Sequence, residues 1–302
     1  MAINRAQIKK QLQEGLNAVF GLEYKQHPEL WKDIFTSSKE SRKAYVEDVL
    51  MTGFGAAPVK QEGAGVTYDT ASEGYVSRYV FETVALAFAL TEEAGEDDLY
   101  GDLGSQMAKA LARSMQYTKN VKGANILNNG FTAGTGGDGV FLFSASHPLQ
   151  GGGTYSNMLS TAADLSETSL EDMLIVIGDA VDDRSLPIQL GTKKMILPTE
   201  LQFTAQRILK SDGRVDTADN DLNAIKSLNL VSGGFSTNVY LTDPDAWFLT
   251  TDAPEGLKYI ERVALKRGME GDFESGNQRY KARERYVFGH SNARGVYGSP
   301  GA

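Results

Sequence analysis

Apolar residues at Ile8, Leu12, Leu16 and Val19 recur every three or four positions, which predicts an amphipathic helix over residues 5 to 20, stopping before Gly21. A second short helix is predicted after Pro28, and the polar run Thr36 to Lys43 reads as a loop. From Ala56 to Gly74 the large apolar side chains thin out to Val59, Val66 and Tyr68 among glycines and charges, too few to build a core. Tyr75-Val76-Ser77-Arg78-Tyr79-Val80-Phe81 then predicts a strand, so the region reads as a long hairpin or loop with extended flanks. Leu99, Leu103, Met107, Leu111 and Met115 mark the longest predicted helix. Glu92 to Asp98 stand at its N-terminus and Lys119 and Lys122 just past its end, both favourable to the helix dipole.

Residues 130 to 153 are glycine-rich loops around a predicted strand, Gly139 to Phe143. Ser169 is predicted to cap a helix carrying Leu170, Leu174, Ile177 and Val181, with Asp172 completing a capping box and the end near Asp182-Asp183. A strand at Lys194 to Leu197 leads to Pro198, placed in the first turn of a helix with Leu201, Ala205, Ile208 and Leu209. A helix around Leu222, Ile225 and Leu228 and strands at Val239 to Leu241 and Trp247 to Leu249 complete what reads as an α/β module. Further on, Arg279, Lys281, Arg283 and Arg285 alternate with Tyr280, Ala282, Glu284 and Tyr286, which places four basic side chains on one face of a strand.

Composition narrows the function classes. The 302 residues, 41% hydrophobic and 23% charged, suffice for one large domain or two interleaved ones. A net charge of -9 is the wrong sign for a protein that grips phosphate backbones, yet permits a container for DNA whose wall does not stick to its contents. The absence of cysteine excludes disulfides and thiolate chemistry and fits a reducing cytoplasm. No apolar run reaches the roughly 18 residues of a membrane span, and the first residues lack a signal core, so cytosolic use and no membrane partner are expected.

Catalytic and metal motifs are weak. His27, His147 and His290 share no ligand spacing, and a structural role is favoured for each. The sharpest catalytic guess, Ser144 or Ser146 with His147 and Asp138, lacks a nucleophile elbow, and a turn set by Pro148 is the plainer reading. The run Gly134 to Gly139 lacks the lysine and hydroxyl of a phosphate loop and reads as a flexible turn. The acidic clusters 92 to 98 and 182 to 183 lack the ligand alternation of a calcium loop. No cofactor, no metal and no catalytic residue are expected. The basic ribbon fits acidic surface of a neighbouring copy, such as 92 to 98, better than DNA. Trp31 and Trp247 read as packed rather than as a carbohydrate-binding platform.

Taken in order along the chain, Glu73-Gly74-Tyr75, Asp97-Asp98-Leu99-Tyr100-Gly101, Lys109 to Ser114, Ala124 to Phe131, Ser146-His147-Pro148-Leu149, Gly151 to Asn157, Asp164 to Thr168 and Arg283-Glu284-Arg285-Tyr286 form a set. As that set, over roughly residues 70 to 300, the sequence resembles the major capsid proteins of tailed bacteriophages. The resemblance implies an α+β fold with an N-terminal arm at 1–54 and an extended β loop at 55–80. It implies a peripheral domain with a long spine helix at 81–139 and 250–290, and an α/β axial domain at 140–249 and 291–302. The implied function is self-assembly into pentamers and hexamers that form an icosahedral head around double-stranded DNA. Portal and scaffolding proteins, and a decoration protein in some cases, are the implied partners, with assembly in the host cytoplasm. Val59, Lys60, Glu62, Val66, Tyr68, Arg279, Lys281, Arg283 and Arg285 are the expected inter-subunit contacts. No long scaffolding segment precedes the arm, so a separate scaffolding protein and an unprocessed N-terminus are expected, and no covalent crosslinking site is matched. The alternatives are an encapsulin-type compartment with the same fold and, lower, a soluble hydrolase using Ser146 and His147.

Overall fold

The computed structural model describes residues 5–39, 43–91, 93, 103–213, 222–272 and 276–302. Helix α1 (Arg5–Gln26) runs past Gly21, six residues beyond the predicted end. Packing offsets the glycine: Leu16 and Phe20 are buried, and the Arg267 guanidinium lies where a Gly21 side chain would point. The short helix predicted after Pro28 forms as a 3-10 helix at Leu30–Asp33, and the run expected to be a loop forms strand β1 (Thr36–Lys39) instead. It carries no apolar pattern and is held by parallel pairing with β10 (Leu257–Gly271), so tertiary context overrides local propensity.

Strand β2 (Tyr45–Met51) pairs antiparallel with β3 (Glu73–Val80), and residues 52–72 form the loop between them. Strand β4 (Glu82–Leu90), absent from the sequence reading, follows directly. Helix α2 (Leu103–Asn128) is the predicted long helix, extended to 26 residues. Its predicted start at Leu99 lies outside the described residues. Lys119 and Lys122 therefore sit within the helix, not past its end, and Lys119 is buried. Residues 139–143 make no strand beyond a Thr135–Phe141 bridge, because Leu142 and Phe143 turn inward as core from a loop.

Helix α3 (Glu167–Gly178) is capped by Ser166, with Ser169 as the third-position partner of a reciprocal capping box, so the predicted cap is displaced by three residues. Helix α4 (Gln202–Lys210) starts four residues after Pro198, and α5 (Ala224–Ser227) is a single turn begun by Asn223. The short strands β5 (His147–Pro148) and β6 (Thr154–Tyr155) pair with each other. The predicted strand at 239–241 is not formed; β8 (Phe235–Thr237) takes its place beside β7 (Thr192–Leu197).

Two four-stranded sheets organise the rest. One has the order β1-β10-β11-β4, with β11 at Gln278–His290, and packs beneath α1 and α2 around Phe20, Leu111, Met115 and Tyr280. The other has the order β12-β9-β7-β8, with β9 at Trp247–Thr251 and β12 at Val296–Ser299. Its core joins Leu170, Met173 and Ile177 of α3 to Met195, Ile208, Trp247 and Tyr297. A third cluster, Trp31, Phe35, Leu127, Phe143, Phe248 and Tyr259, spans both sheets and makes them one body.

Candidate functional site

Three places concentrate charge or exposed apolar surface. The first is the outward face of β11, where side chains alternate as predicted. Arg279, Lys281 and Arg283 are exposed and Arg285 is half-buried, while Tyr280, Ala282, Glu284 and Tyr286 are buried on the other side. Register places Thr83, Ala85, Ala87 and Ala89 of β4 on one flank and Val263, Lys266, Gly268 and Glu270 of β10 on the other. The alanines of β4 and Gly268 of β10 leave the row accessible, while Lys266 and Glu270 add charge on the β10 flank. Arg279 pairs with Asp272 at 2.9 Å, whereas among the described residues Lys281, Arg283 and Arg285 have no carboxylate partner. Their suggested partner at 92 to 98 lies outside the described residues, Glu93 excepted.

The second place is the loop at 52–72. Val59 is 95% exposed, Tyr68 94% and Val66 68%, and Lys60 and Glu62 are exposed beside them. Its base is tied down nonetheless. Asp69 accepts hydrogen bonds from Gly55 N at 2.7 Å and Thr70 N at 2.8 Å, and Arg184 donates to Thr70 O at 2.7 Å. Those two backbone donors, with the Arg184 charge, hold the Asp69 carboxyl below its usual range. The loop is thus fixed at its root and bare at its tip.

The third place is buried. His147 Nδ1 lies 2.6 Å from Asp138 Oδ2, so the carboxylate and imidazole of the catalytic guess do meet. The serines do not join them. His147 Nε2 faces Asn157 Oδ1 at 3.2 Å, and that oxygen is an acceptor, since Asn157 Nδ2 donates to the carbonyls of Leu142, Ala293 and Val296. With Asp138 at one ring nitrogen and Asn157 at the other, His147 turns neither nitrogen towards a serine. Ser144 Oγ instead accepts from Ser146 N at 3.2 Å, closing the turn before Pro148. Asp182 and Asp183 are likewise committed: Asp182 caps its own turn, and Asp183 binds buried Arg294 at 3.1 Å.

Glu284, placed by the alternation opposite the basic row, carries a role that no motif assigned to it. It is 2% exposed and pairs with Lys119 Nζ at 3.1 Å, while Trp31, Tyr259 and Tyr286 surround the ammonium. Burial pushes its carboxyl above the usual range, and Lys119 pulls it part of the way back. The signal was present: Glu284 is the one charged residue on the otherwise apolar side of the ribbon.

A family model described as "Phage capsid protein" matches residues 74–299. The chain belongs to the phage capsid protein family. It is a major capsid protein, a shell subunit with the α+β fold of that family. Solved structures agree on the fold. The capsid of a native GTA particle has a TM-score of 0.57 at 13% identity, covering 89% of each chain. The capsid of Myoviridae phage XM1 scores 0.51 at 11% identity, covering 90% of each. The SrpI encapsulin of Synechococcus elongatus PCC 7942 scores 0.55 at 8% identity, covering 91% of this chain and 88% of its own. No curated protein matches the sequence. For a capsid protein, the exposed loop and the basic sheet face, not the buried histidine, are the surfaces to explain.

Proposed function

We propose that this capsid protein closes into an icosahedral phage head of pentamers and hexamers and encloses double-stranded DNA without reading its sequence. The observation that carries the reading is the loop at 52–72, whose Val59 and Tyr68 stay more than nine-tenths exposed although its root is bonded to the body. Exposed apolar side chains on a rooted extension gain their burial on another copy. In this reading residues 1–54 act as an arm and 55–80 as a loop over a neighbour. Residues 81–139 with 250–290 form a peripheral domain, and 140–249 with 291–302 surround the capsomer centre. Lys281, Arg283 and Arg285, without carboxylate partners among the described residues, take acidic surface from that neighbour. Portal and scaffolding proteins act with it in the host cytoplasm, and the chain performs no catalysis.

Encapsulin-type enclosure of protein cargo is the second reading, because the SrpI encapsulin shares the fold. Negative-stain electron microscopy and sedimentation of the full chain, alone and with a scaffolding protein from its own source, test the proposal. Shells, rings of five or six, or sheets are expected. A monomer under every condition overturns it, and native particles filled with protein instead of DNA transfer it to the second reading.

A further inference from the structure

The hairpin of β2 and β3 is tied to the body through Asp48, which accepts from Lys258 and from Ser291 Oγ at 2.8 Å, and through Tyr79, bonded to Ser291; beside those ties it meets the body at a crowded joint. Gly137 lies so close to β3 that an added Cβ would stand 2.8 Å from Val76 O and 2.9 Å from Ser77 Oγ. A Cβ on Gly136 would stand 2.9 Å from His290 Nε2 and 2.8 Å from Asp138 Oδ1. The glycine run expected to be a flexible turn is therefore a wedge between the hairpin and the end of β11, with glycine required by close approach. Beside it lies an open cavity of about 500 Å³ lined by Val76 to Val80, Gly134 to Gly137 and His290, room into which the hairpin can shift.

We propose that Asp138, His147 and His290 form an acid-sensitive latch that holds the hairpin against the body at neutral pH and loosens it on acidification. His147 bridges Asp138 and Asn157 and stacks on Tyr155, whose ring also carries Arg294. The groups around His290 are Asp138 on the glycine wedge, His147 on β5, Tyr155, Asp183 and Arg294 across a small pocket, and Tyr75, Arg78 and Tyr79 on the hairpin. His290 keeps partial access to solvent, yet burial among these elements pushes it down to about 4, helped by His147 and opposed by Asp138. Burial works against ionised Asp138, but the hydrogen bond and charge of His147 outweigh it and hold that carboxyl below its usual range.

The sign follows from linkage. With the joint open, His290 returns towards its ordinary value of 6.5 and binds a proton that the closed joint refuses. The closed joint is thus fully favoured above that value and loses ground as pH falls from 6.5 towards about 4. Asp138, depressed in the closed state, adds loss in the same direction at lower pH. The latch does not depend on what the shell encloses.

Hydrogen exchange of the full-length chain, corrected for the intrinsic pH dependence, tests it. Peptides covering 73–80 and 134–142 are expected to lose at least tenfold in protection between pH 7 and 4.5, while those covering 192–197 and 247–251 hold theirs. His290→Gln, neutral throughout, is expected to flatten the response, and His27→Gln to leave it intact. Equal protection of the joint at both pH values overturns the latch, and so does an unchanged response in His290→Gln. Should that variant not fold, NMR titration of the histidine rings in the unaltered chain decides: His290 titrating near 6.5 refutes the latch, and a value well below it supports it.

Discussion

Adjacent residues of β11 meet opposite environments. Tyr280, Ala282, Glu284 and Tyr286 lie under α1 and α2 with almost no solvent contact, and the charge among them is answered by Lys119. One residue away each time, Arg279, Lys281, Arg283 and Arg285 stand on a face where only Arg279 has a carboxylate among the described residues. The two-residue period of a strand thus separates side chains that make the fold from side chains that, Arg279 apart, meet no carboxylate among the described residues. The same contrast recurs between the body, whose cores join both sheets, and the loop at 52–72, which buries none of its large apolar residues.

The inward face supplies the largest expected effect. Lys119→Met leaves Glu284 buried without its cation and is expected to cost about 3–5 kcal/mol in denaturant unfolding. Combining it with Glu284→Gln is expected to return more than half of that loss, since an uncharged pair carries no unanswered charge. In the single variant the Glu284 carboxyl, already raised by burial, rises further. It then binds its proton more tightly folded than unfolded, so stability falls as pH rises above about 4.5. A Lys119→Met protein as stable as the parent at pH 7 would erase the distinction drawn between the two faces.

How far the sequence reveals this contrast depends on how local each signal is. The alternation over 279–285, the stripe Leu103 to Met115 and the strand at 194–197 are legible because period alone carries them. Strand β1, Thr36 to Lys39, is not, because only its pairing with Lys258 to Glu261, more than two hundred residues away, makes it a strand. The end of α1 was misjudged because Gly21 looks like a stop until Arg267 packs over it. At the candidate sites, the bare loop and the basic row could be read from composition, whereas the Lys119–Glu284 pair and the His147 hub required the fold.

The loop supplies the next effect. Serine at Val59, Val66 and Tyr68 together removes no packing from the single chain, so the unfolding free energy is expected to move by less than about 0.5 kcal/mol. Shell formation, followed by sedimentation, is expected to fail. Intact shells from this triple variant would remove the loop from the interface and leave its exposed tip without a role.

The smallest effect belongs to the basic row, and it separates two partners. Lys281→Gln, Arg283→Gln and Arg285→Gln together are expected to leave stability within about 0.5 kcal/mol, since none has a carboxylate partner among the described residues and the Arg285 Nε is buried without an acceptor. If the row meets acidic surface of a neighbour, assembly of the parent weakens between low salt and 0.5 M, where screening shortens to less than about 10 Å, and the variant assembles less well but with little salt dependence. If the row instead faces packaged DNA, the variant shells form normally at every salt concentration and differ only in the nucleic acid they retain. The net charge of -9 favours the first outcome, because an isolated basic patch gains more from one close acidic partner than from a polyanion that the rest of the protein repels.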